Sequence, residues 1–438
     1  MNQKTIGLFG TIGYDDYGDD ALLICNVEEL QKRSYEIIIF SQNIAKTTNI
    51  LISNGLLPVN GISNQIKIVK DLNSYVDEKN LLNYLDFPID FFLNKYFNTK
   101  LDVFKTLYYK YLHYKLTNCL NGISGKNEFL SQYLNDLSKC SLILFMGGGY
   151  FNKYHGVKIY SHITALSLMA RMGKKTVAYG QTFGPLSQSQ TKFVKKYINK
   201  LDHVSVRDVE RSKERLIELG YNENQISEGP DDAIFLKSND DYNDIFKQLD
   251  GKYLVITNFG LFLKYSKIPL VAMYSIFANF LDYIIETNDG VILNISMTSS
   301  GIDIKQGLEI QKRMKYKNRF YHQPLYTSVK DIKAIIGKSD LIFSSRLHPI
   351  VFAISEKKSY IGISSGGEYY DSKLRGISEI YGYDPNKHII NADDLSLAML
   401  IQLFNDAIND QYVGDEKIYE INKLKRKNDL DALYNKIG

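Results

Sequence analysis

Tryptophan is absent from the 438 residues, and cysteine occurs only three times. Cys25, Cys119 and Cys140 form no CxxC pair and no metal-ligand spacing. A sparse, odd count fits a reducing compartment, so a cytoplasmic setting is expected. No run of about 18 apolar residues occurs, so no membrane span is expected. Met1-Asn2-Gln3-Lys4 leads directly into a strand pattern, with no signal peptide visible. Charge bias is also lacking: 53 basic side chains face 49 acidic ones, a formal net charge of +4. That is too little to argue for a nucleic-acid partner. There is no GxGxxG fingerprint, no GxxxxGK(S/T) loop and no G-x-S-x-G elbow. Nicotinamide, Walker-type and nucleophile-elbow readings therefore have no support.

What is present describes an ordinary soluble globular chain, 44% hydrophobic and 23% charged. Its length suggests two domains or three. The 33 tyrosines and 22 phenylalanines reflect either an A/T-rich genome or surfaces on which sugars stack.

Strand and helix patterns alternate along most of the chain. Thr5–Phe9 reads as a strand, followed by a Gly-rich loop and a helix from Ala21 to about Lys32, then a strand at Glu36–Phe40. Asp19 and Asp20 would complement that helix's dipole. Residues from about 60 to 135 carry Tyr96, Phe97, Phe104, Tyr108, Tyr109, Tyr111 and Tyr114 among lysines, and read as a helical insertion. Packing on the host domain, acceptor contact and peripheral contact with a membrane surface all remain open for it. Alternation resumes with strands at Ser141–Met146, Thr176–Tyr179 and His203–Arg207. A polar stretch, Lys237–Gly251, reads as a linker before a second series of strands and helices. Such alternation predicts α/β domains with doubly wound parallel sheets: an N-terminal domain over 1–240, a second over 250–395 and C-terminal helices over 396–438. Ligands of such sheets bind beyond the C-terminal ends of the strands, here in the cleft between the domains. The basic run Lys423-Leu424-Lys425-Arg426-Lys427 reads as a solvated helix face.

The chemistry-bearing residues fall at strand ends. Ser344-Ser345-Arg346-Leu347-His348-Pro349 follows an apolar strand. There Arg346 offers a fixed fork for a carboxylate or phosphate, and His348 can move a proton near neutral pH. Arg207, in Val206-Arg207-Asp208, can point at the same cleft or pair with Asp208 at the surface. Gly147-Gly148-Gly149 can form a backbone nest for an anion or a tight strand-to-helix turn. The loop from Gly180 to Pro185 can line a cleft or simply turn the chain. Lys373, in the segment Tyr369–Gly376, sits in a loop near a phosphate or at the surface. His155 and His162 lack a matching ligand set, so no metal site is expected.

Taken together, these motifs resemble the polysaccharide pyruvyltransferase family. That family's N-x-G-D-(E/D)-A element appears as Asp16-Tyr17-Gly18-Asp19-Asp20-Ala21, with aspartate in place of asparagine. Its GGG, G-x-x-x-G-P and V-R-D-x-x-S elements correspond to Gly147–Gly149, Gly180–Pro185 and Val206-Arg207-Asp208 with Ser212 nearby. The P-D-x-A-F element is similar to Pro230–Phe235 with one extra residue, S-R-L-H matches Ser345–His348, and Y-x-x-K-x-x-G matches Tyr370, Lys373 and Gly376. The resemblance covers roughly Ile6 to Tyr383. It implies a GT-B-like fold, phosphoenolpyruvate as donor, no cofactor, and a glycan or lipid-linked sugar as acceptor. The product would be a pyruvate ketal. The expected catalytic residues are His348 and Arg346. Arg207, Lys373, Gly147, Gly148, Gly149, Gly18 and Asp19 are expected to bind substrate. Two rivals remain. One is a GT-B glycosyltransferase or nucleotide-sugar epimerase, for which Glu368 and Glu379 are candidate ribose partners. The other is a non-catalytic glycan-binding protein on the same fold. The oligomeric state stays open.

Overall fold

The structure is a computed structural model that describes residues 4–78, 94–122, 127–249, 251, 253–260, 263, 265–325, 327–365, 367–409 and 416–437. Its first sheet uses β1 (Thr5–Phe9), β2 (Glu36–Ser41), β3 (Ile66–Lys70), β4 (Leu142–Phe145), β5 (Gly148–Phe151), β6 (Lys175–Phe183), β7 (His203–Val206) and β8 (Ile226–Glu228). The order is β3-β2-β1-β4-β6-β7-β8, with β5 paired to β6, and every pairing is parallel. The second sheet uses β9 (Tyr253–Asn258), β10 (Gly290–Asn294), β11 (Phe320–His322), β12 (Leu341–Ser344), β13 (Ser359–Ser364) and β14 (Ile389–Asn391). Its order is β11-β10-β9-β12-β13-β14, again parallel throughout. The central strands β1, β4 and β12 are buried at every position. They read as near-continuous apolar runs because helices cover both faces of the sheet.

Those helices are α1 (Tyr17–Lys32), α2 (Ile44–Ser53), α3 (Leu72–Glu78), α4 (Asn94–Leu120), α5 (Glu128–Lys139), α6 (Ile159–Arg171), α7 (Gln188–Tyr197) and α8 (Val209–Glu218) beside the first sheet. Beside the second lie α9 (Leu270–Asn288), α10 (Ile302–Gln311), α11 (Val329–Gly337), α12 (Leu347–Ser355), α13 (Glu368–Ile380), α14 (Pro385–His388) and α15 (Leu397–Asn409), and α16 (Glu416–Ile437) closes the chain. Capping boxes fix two of their starts, Ser187 with Gln190 and Ser328 with Asp331. Among the described residues only α9 is long and apolar enough to cross a membrane, but it packs Met273, Phe277, Phe280, Leu281 and Ile284 into the second core.

Two elements tie the halves together. In α1, Leu23, Val27 and Leu30 pack on the first sheet, while Ala21, Leu22, Ile24 and Cys25 pack with Ile332, Ile335 and Val351 of the second domain. The helix is therefore buried nearly all round, which removes the amphipathic signal a surface helix would carry. Its entry loop is latched to the second domain. Asp15 accepts from the Ser299 amide at 2.7 Å and the Ser300 amide at 2.9 Å, and the Tyr17 amide donates to the Met297 carbonyl at 2.9 Å. At the other end, α15 packs on the second core through Leu400 and Phe404, and α16 returns to the first domain through Leu430 and an Arg33–Asp431 ion pair of 2.6 Å.

Several expectations need correction. The insertion is not purely helical: Ile66–Lys70 adds a parallel strand to β2 at the sheet edge. Residues 79–93 and 123–126 of that insertion, and the side chains of Tyr96, Phe97 and Phe104, lie outside the described residues. The triple glycine does not turn into a helix; Gly148 and Gly149 begin β5. The segment Tyr369–Gly376 is not a loop but lies in the N-terminal part of α13. The basic run on α16 is not simply solvated. Arg426 is buried, and its Nε and Nη2 each meet Asp232 at 2.6 Å.

Candidate active site

The C-terminal ends of both sheets face one pocket of about 110 Å³. A single water needs roughly 10–15 Å³ by this kind of measure, so a small multi-atom anion has room. Arg207, Arg346, His348, Lys373, Asp19 and Gly149 all line it, with Asp16, His155, Tyr369 and Tyr370 among their neighbours. The first domain supplies Arg207, Asp19 and Gly149. The second supplies Arg346, His348 and Lys373.

Each guanidinium is held by carboxylates. Arg207 follows β7, is almost fully buried, and donates to Asp231 and, at 3.1 Å, to the Thr182 hydroxyl. It does not pair with Asp208 at the surface. Arg346 follows β12 and donates from Nε at 3.1 Å and from Nη2 at 2.8 Å to Asp303, while Nη1 lies 3.4 Å from Asp16. Asp303 is itself fixed by the Met297 amide at 2.8 Å and by Asn258 at 3.3 Å. Lys373 differs: among the described residues its ammonium has no ion-pair partner, and it stands 6.0 Å over the Tyr369 ring. Burial and the neighbouring Arg207 lower it to about 8. The pocket thus holds an ammonium that makes no ion pair among the described residues but feels Asp16, Asp19 and Asp231 at longer range, beside two guanidiniums oriented by carboxylates.

His348 opens the first turn of α12. Its Nδ1 lies 3.9 Å from Asp16, its Nε2 lies 3.9 Å from Asp231, and Nε2 is buried without a hydrogen bond. Burial lowers it to about 4, against the opposing pull of the two carboxylates, so it is neutral near pH 7. Burial and the Asp16 carboxylate raise Asp19, whose Thr11 hydrogen bond opposes the shift.

Glycines make this assembly fit. A β-carbon at Gly18 would sit 1.6 Å from His348 Nδ1, and one at Gly149 would sit 2.2 Å from the Tyr369 hydroxyl. Tyr369 donates to the Gly149 carbonyl at 3.1 Å across the domains. At Gly376 a β-carbon would meet Asp208 at 2.7 Å, so glycine there lets α13 approach the first domain and carry Lys373 into the pocket. Gly147 packs behind the pocket against Leu22 and the Gly180 carbonyl, and Gly148 contacts Tyr150, so only Gly149 of the three reaches the lining. His162 is a core residue between the Lys158 and Gly10 carbonyls. Glu379 is exposed on α13, and the Glu368 side chain lies outside the described residues.

A sequence model of the polysaccharide pyruvyl transferase family matches residues 16–367, a span that contains Arg207 and the Arg346–His348 element. The chain belongs to that family. Among proteins with curated functions, none matches it in sequence. Solved structures share its architecture. The UDP-GlcNAc 2-epimerase of Neisseria meningitidis, solved with UDP-GlcNAc, superposes with a TM-score of 0.55 at 13% identity, over 98% of this chain and 100% of that one. A Rickettsia africae glycosyltransferase gives 0.53 at 12% identity, over 100% and 99%. The Methanocaldococcus jannaschii UDP-GlcNAc 2-epimerase gives 0.53 at 11%, over 92% of both. At such identities the likeness shows the fold alone. That fold is the two-domain GT-B architecture.

Within this polysaccharide pyruvyl transferase family member, sequence reasoning missed Asp303, the buried anchor of Arg346. An aspartate in the first turn of a helix looks like a dipole partner, and nothing local separates that role from an ion pair with a residue 43 positions later.

Proposed function

We propose that this protein moves the pyruvyl group of phosphoenolpyruvate onto two hydroxyls of a sugar in a surface polysaccharide or its lipid-linked precursor, on the cytoplasmic side of the membrane. The observation that carries this reading is Lys373, an ammonium that forms no ion pair among the described residues, set in one small pocket with the Arg207 and Arg346 guanidiniums and with His348. The donor carries a carboxylate and a phosphate, and fixed cations in a confined pocket are what such a ligand needs.

In this reading a proton adds to C3 of the enol and turns its methylene into a methyl group, while a sugar hydroxyl oxygen bonds to C2. Phosphate then leaves C2, and a second hydroxyl takes its place to close the ketal. Of the two hydroxyl protons, one balances the proton gained by C3 and the other leaves with phosphate. Neutral His348 takes a hydroxyl proton, and Asp19 is the carboxyl placed to supply one. A positioned acid or base is worth about 100- to 10,000-fold.

Calorimetry with phosphoenolpyruvate on the wild type, Arg346→Ala and Arg346→Lys tests the reading, with UDP-sugars as controls. Wild-type binding that Arg346→Ala abolishes supports it. Binding of a UDP-sugar and none of phosphoenolpyruvate points instead to a nucleotide-sugar enzyme on the same fold.

A further inference from the structure

Acidic residues are missing from two stretches that fold side by side. Between Asp136 and Asp202 there is no aspartate or glutamate, yet ten lysines and arginines occur. None occurs between Asp102 and Glu128 either, where Lys105, Lys110, Lys115 and Lys126 lie. A chain with nearly equal numbers of both signs has thus concentrated positive charge in one region. The first stretch contains α7 and the second α4, and the two helices meet: His113 Nε2 of α4 lies 2.9 Å from the Tyr197 hydroxyl of α7, and its ring packs edge-on to Phe193.

Between them runs a groove of about 390 Å³ lined by Lys110, Gln188, Ser189, Lys192, Phe193 and Lys196. Lys110, Lys192, Lys195 and Lys196 are exposed and, among the described residues, form no ion pair. Their field reaches inward. Burial first, then Arg171 and Lys196, lower the enclosed His113 to about 4. Interleaved with these cations on α4 are apolar side chains facing solvent: Leu107 is 56% exposed, Tyr111 49% and Tyr114 61%.

We propose that the α4–α7 face docks on an anionic lipid surface. Clustered lysines gain from the negative potential of such a surface, and exposed tyrosine and leucine suit its headgroup boundary. The apolar residues distinguish this occupant from a nucleic acid, which the charge alone would equally serve. The face also reaches the cleft rim. The α7 helix starts just past Pro185, whose carbonyl accepts the Lys153 amide at 2.7 Å, and the neighbouring Tyr154, 46% exposed, packs on Tyr369 and Tyr370. A membrane-borne substrate would thus meet the pocket from the docked side.

Co-sedimentation of the whole protein with vesicles tests this independently of any activity. The wild type should pellet with phosphatidylglycerol/phosphatidylcholine vesicles, stay in solution with pure phosphatidylcholine, and be released by high salt. The triple variant Lys192→Glu/Lys195→Glu/Lys196→Glu should weaken binding by roughly tenfold or more. Leu107→Ser/Tyr111→Ser should leave binding at low salt but release it at lower salt than the wild type. All substituted residues are exposed, and circular dichroism checks that the variants fold. Wild type left in the supernatant with anionic vesicles overturns the proposal, as does a charge-reversed variant that binds normally. Unchanged salt release of Leu107→Ser/Tyr111→Ser, together with tight binding to a single-stranded oligonucleotide, would show a general polyanion patch and also overturn it. A protein that binds phosphoenolpyruvate but no vesicle would refute only the docking face.

Discussion

The imidazole of His348, at the start of one domain's helix, rests against the α-carbon of Gly18 in the first turn of the other domain's α1. The space for a side chain is gone: a β-carbon at Gly18 would lie 1.6 Å from Nδ1. Gly18→Ala should therefore push the ring out of the pocket, cost about 1–3 kcal/mol through overpacking, and abolish product formation. The double variant Gly18→Ala/His348→Ala should recover the lost stability in a denaturation series without recovering activity. A Gly18→Ala protein of wild-type stability and turnover would contradict the packing described.

Arg346 and His348 should separate kinetically. Arg346→Lys keeps a charge beside Asp303 but loses the fork, so phosphoenolpyruvate should bind at least about tenfold more weakly. His348→Ala should leave donor affinity within a few-fold of normal and lower kcat by about 100-fold or more. Calorimetry and single-turnover kinetics read the two effects; near-normal turnover of His348→Ala would remove it from the proton-transfer role.

Asp16 stands where the family pattern has asparagine. Its side chain does two separable things, accepting from the Gly18 amide at 2.8 Å as the cap of α1 and pairing with Arg346 at 3.4 Å. Asparagine caps equally well. Asp16→Asn should thus preserve folding and, by removing a carboxylate that competes for Arg346, tighten donor binding several-fold. Weaker binding would mean that Asp16 positions Arg346 rather than competing with an anion.

Lys373 sets a pH limit. Burial and Arg207 lower it to about 8 in the free protein, and an anion binds best when it is charged. Below pH 8 the charge is present, so Lys373 itself adds no further change in donor affinity. Above pH 8 the free protein loses the proton, so binding must take one up, and affinity should fall by up to about tenfold per pH unit. Lys373→Gln should bind weakly and show no such fall. His348, lowered to about 4, contributes no step between pH 5 and 8.

Arg426 anchors α16 by meeting buried Asp232 with two nitrogens, each at 2.6 Å. Arg426→Leu would strand that carboxylate, leaving it Asn26 as a hydrogen-bond donor, and should destabilise the protein by about 3–5 kcal/mol. Adding Asp232→Asn should return most of the loss. Urea unfolding of the wild type, Arg426→Leu and the double variant measures this recovery.

The strand-end motifs were legible because each chemical group follows an apolar run, and parallel sheets place such groups on one edge. Arg346 and His348 stand out as candidates from that alone; Arg207 stays open between cleft and surface, and Lys373, on α13 beyond the end of β13, is singled out by the family resemblance. The partners that orient them could not be named from the sequence. Asp303 and Asp231 act across folds of chain that only tertiary packing brings close, and Asp15 latches to Ser299 from 284 residues away. The α13 segment was misread as a loop because paired tyrosines, an aspartate and a glycine look like turn chemistry. Gly376 serves instead to let a helix approach Asp208. Arg426 was misread because a run of basic residues hides the one that faces inward.

The pocket's cations are divided, Arg207 in the first domain and Arg346 and Lys373 in the second. Without an anion, Lys373 and Arg207 repel one another across the cleft while the Asp16–Arg346 pair draws it closed. With a dianion between them, the same charges become a tie. Scanning calorimetry should register the difference as cooperativity: two overlapping melting transitions in the free protein, drawn into one sharper transition at higher temperature when donor is present.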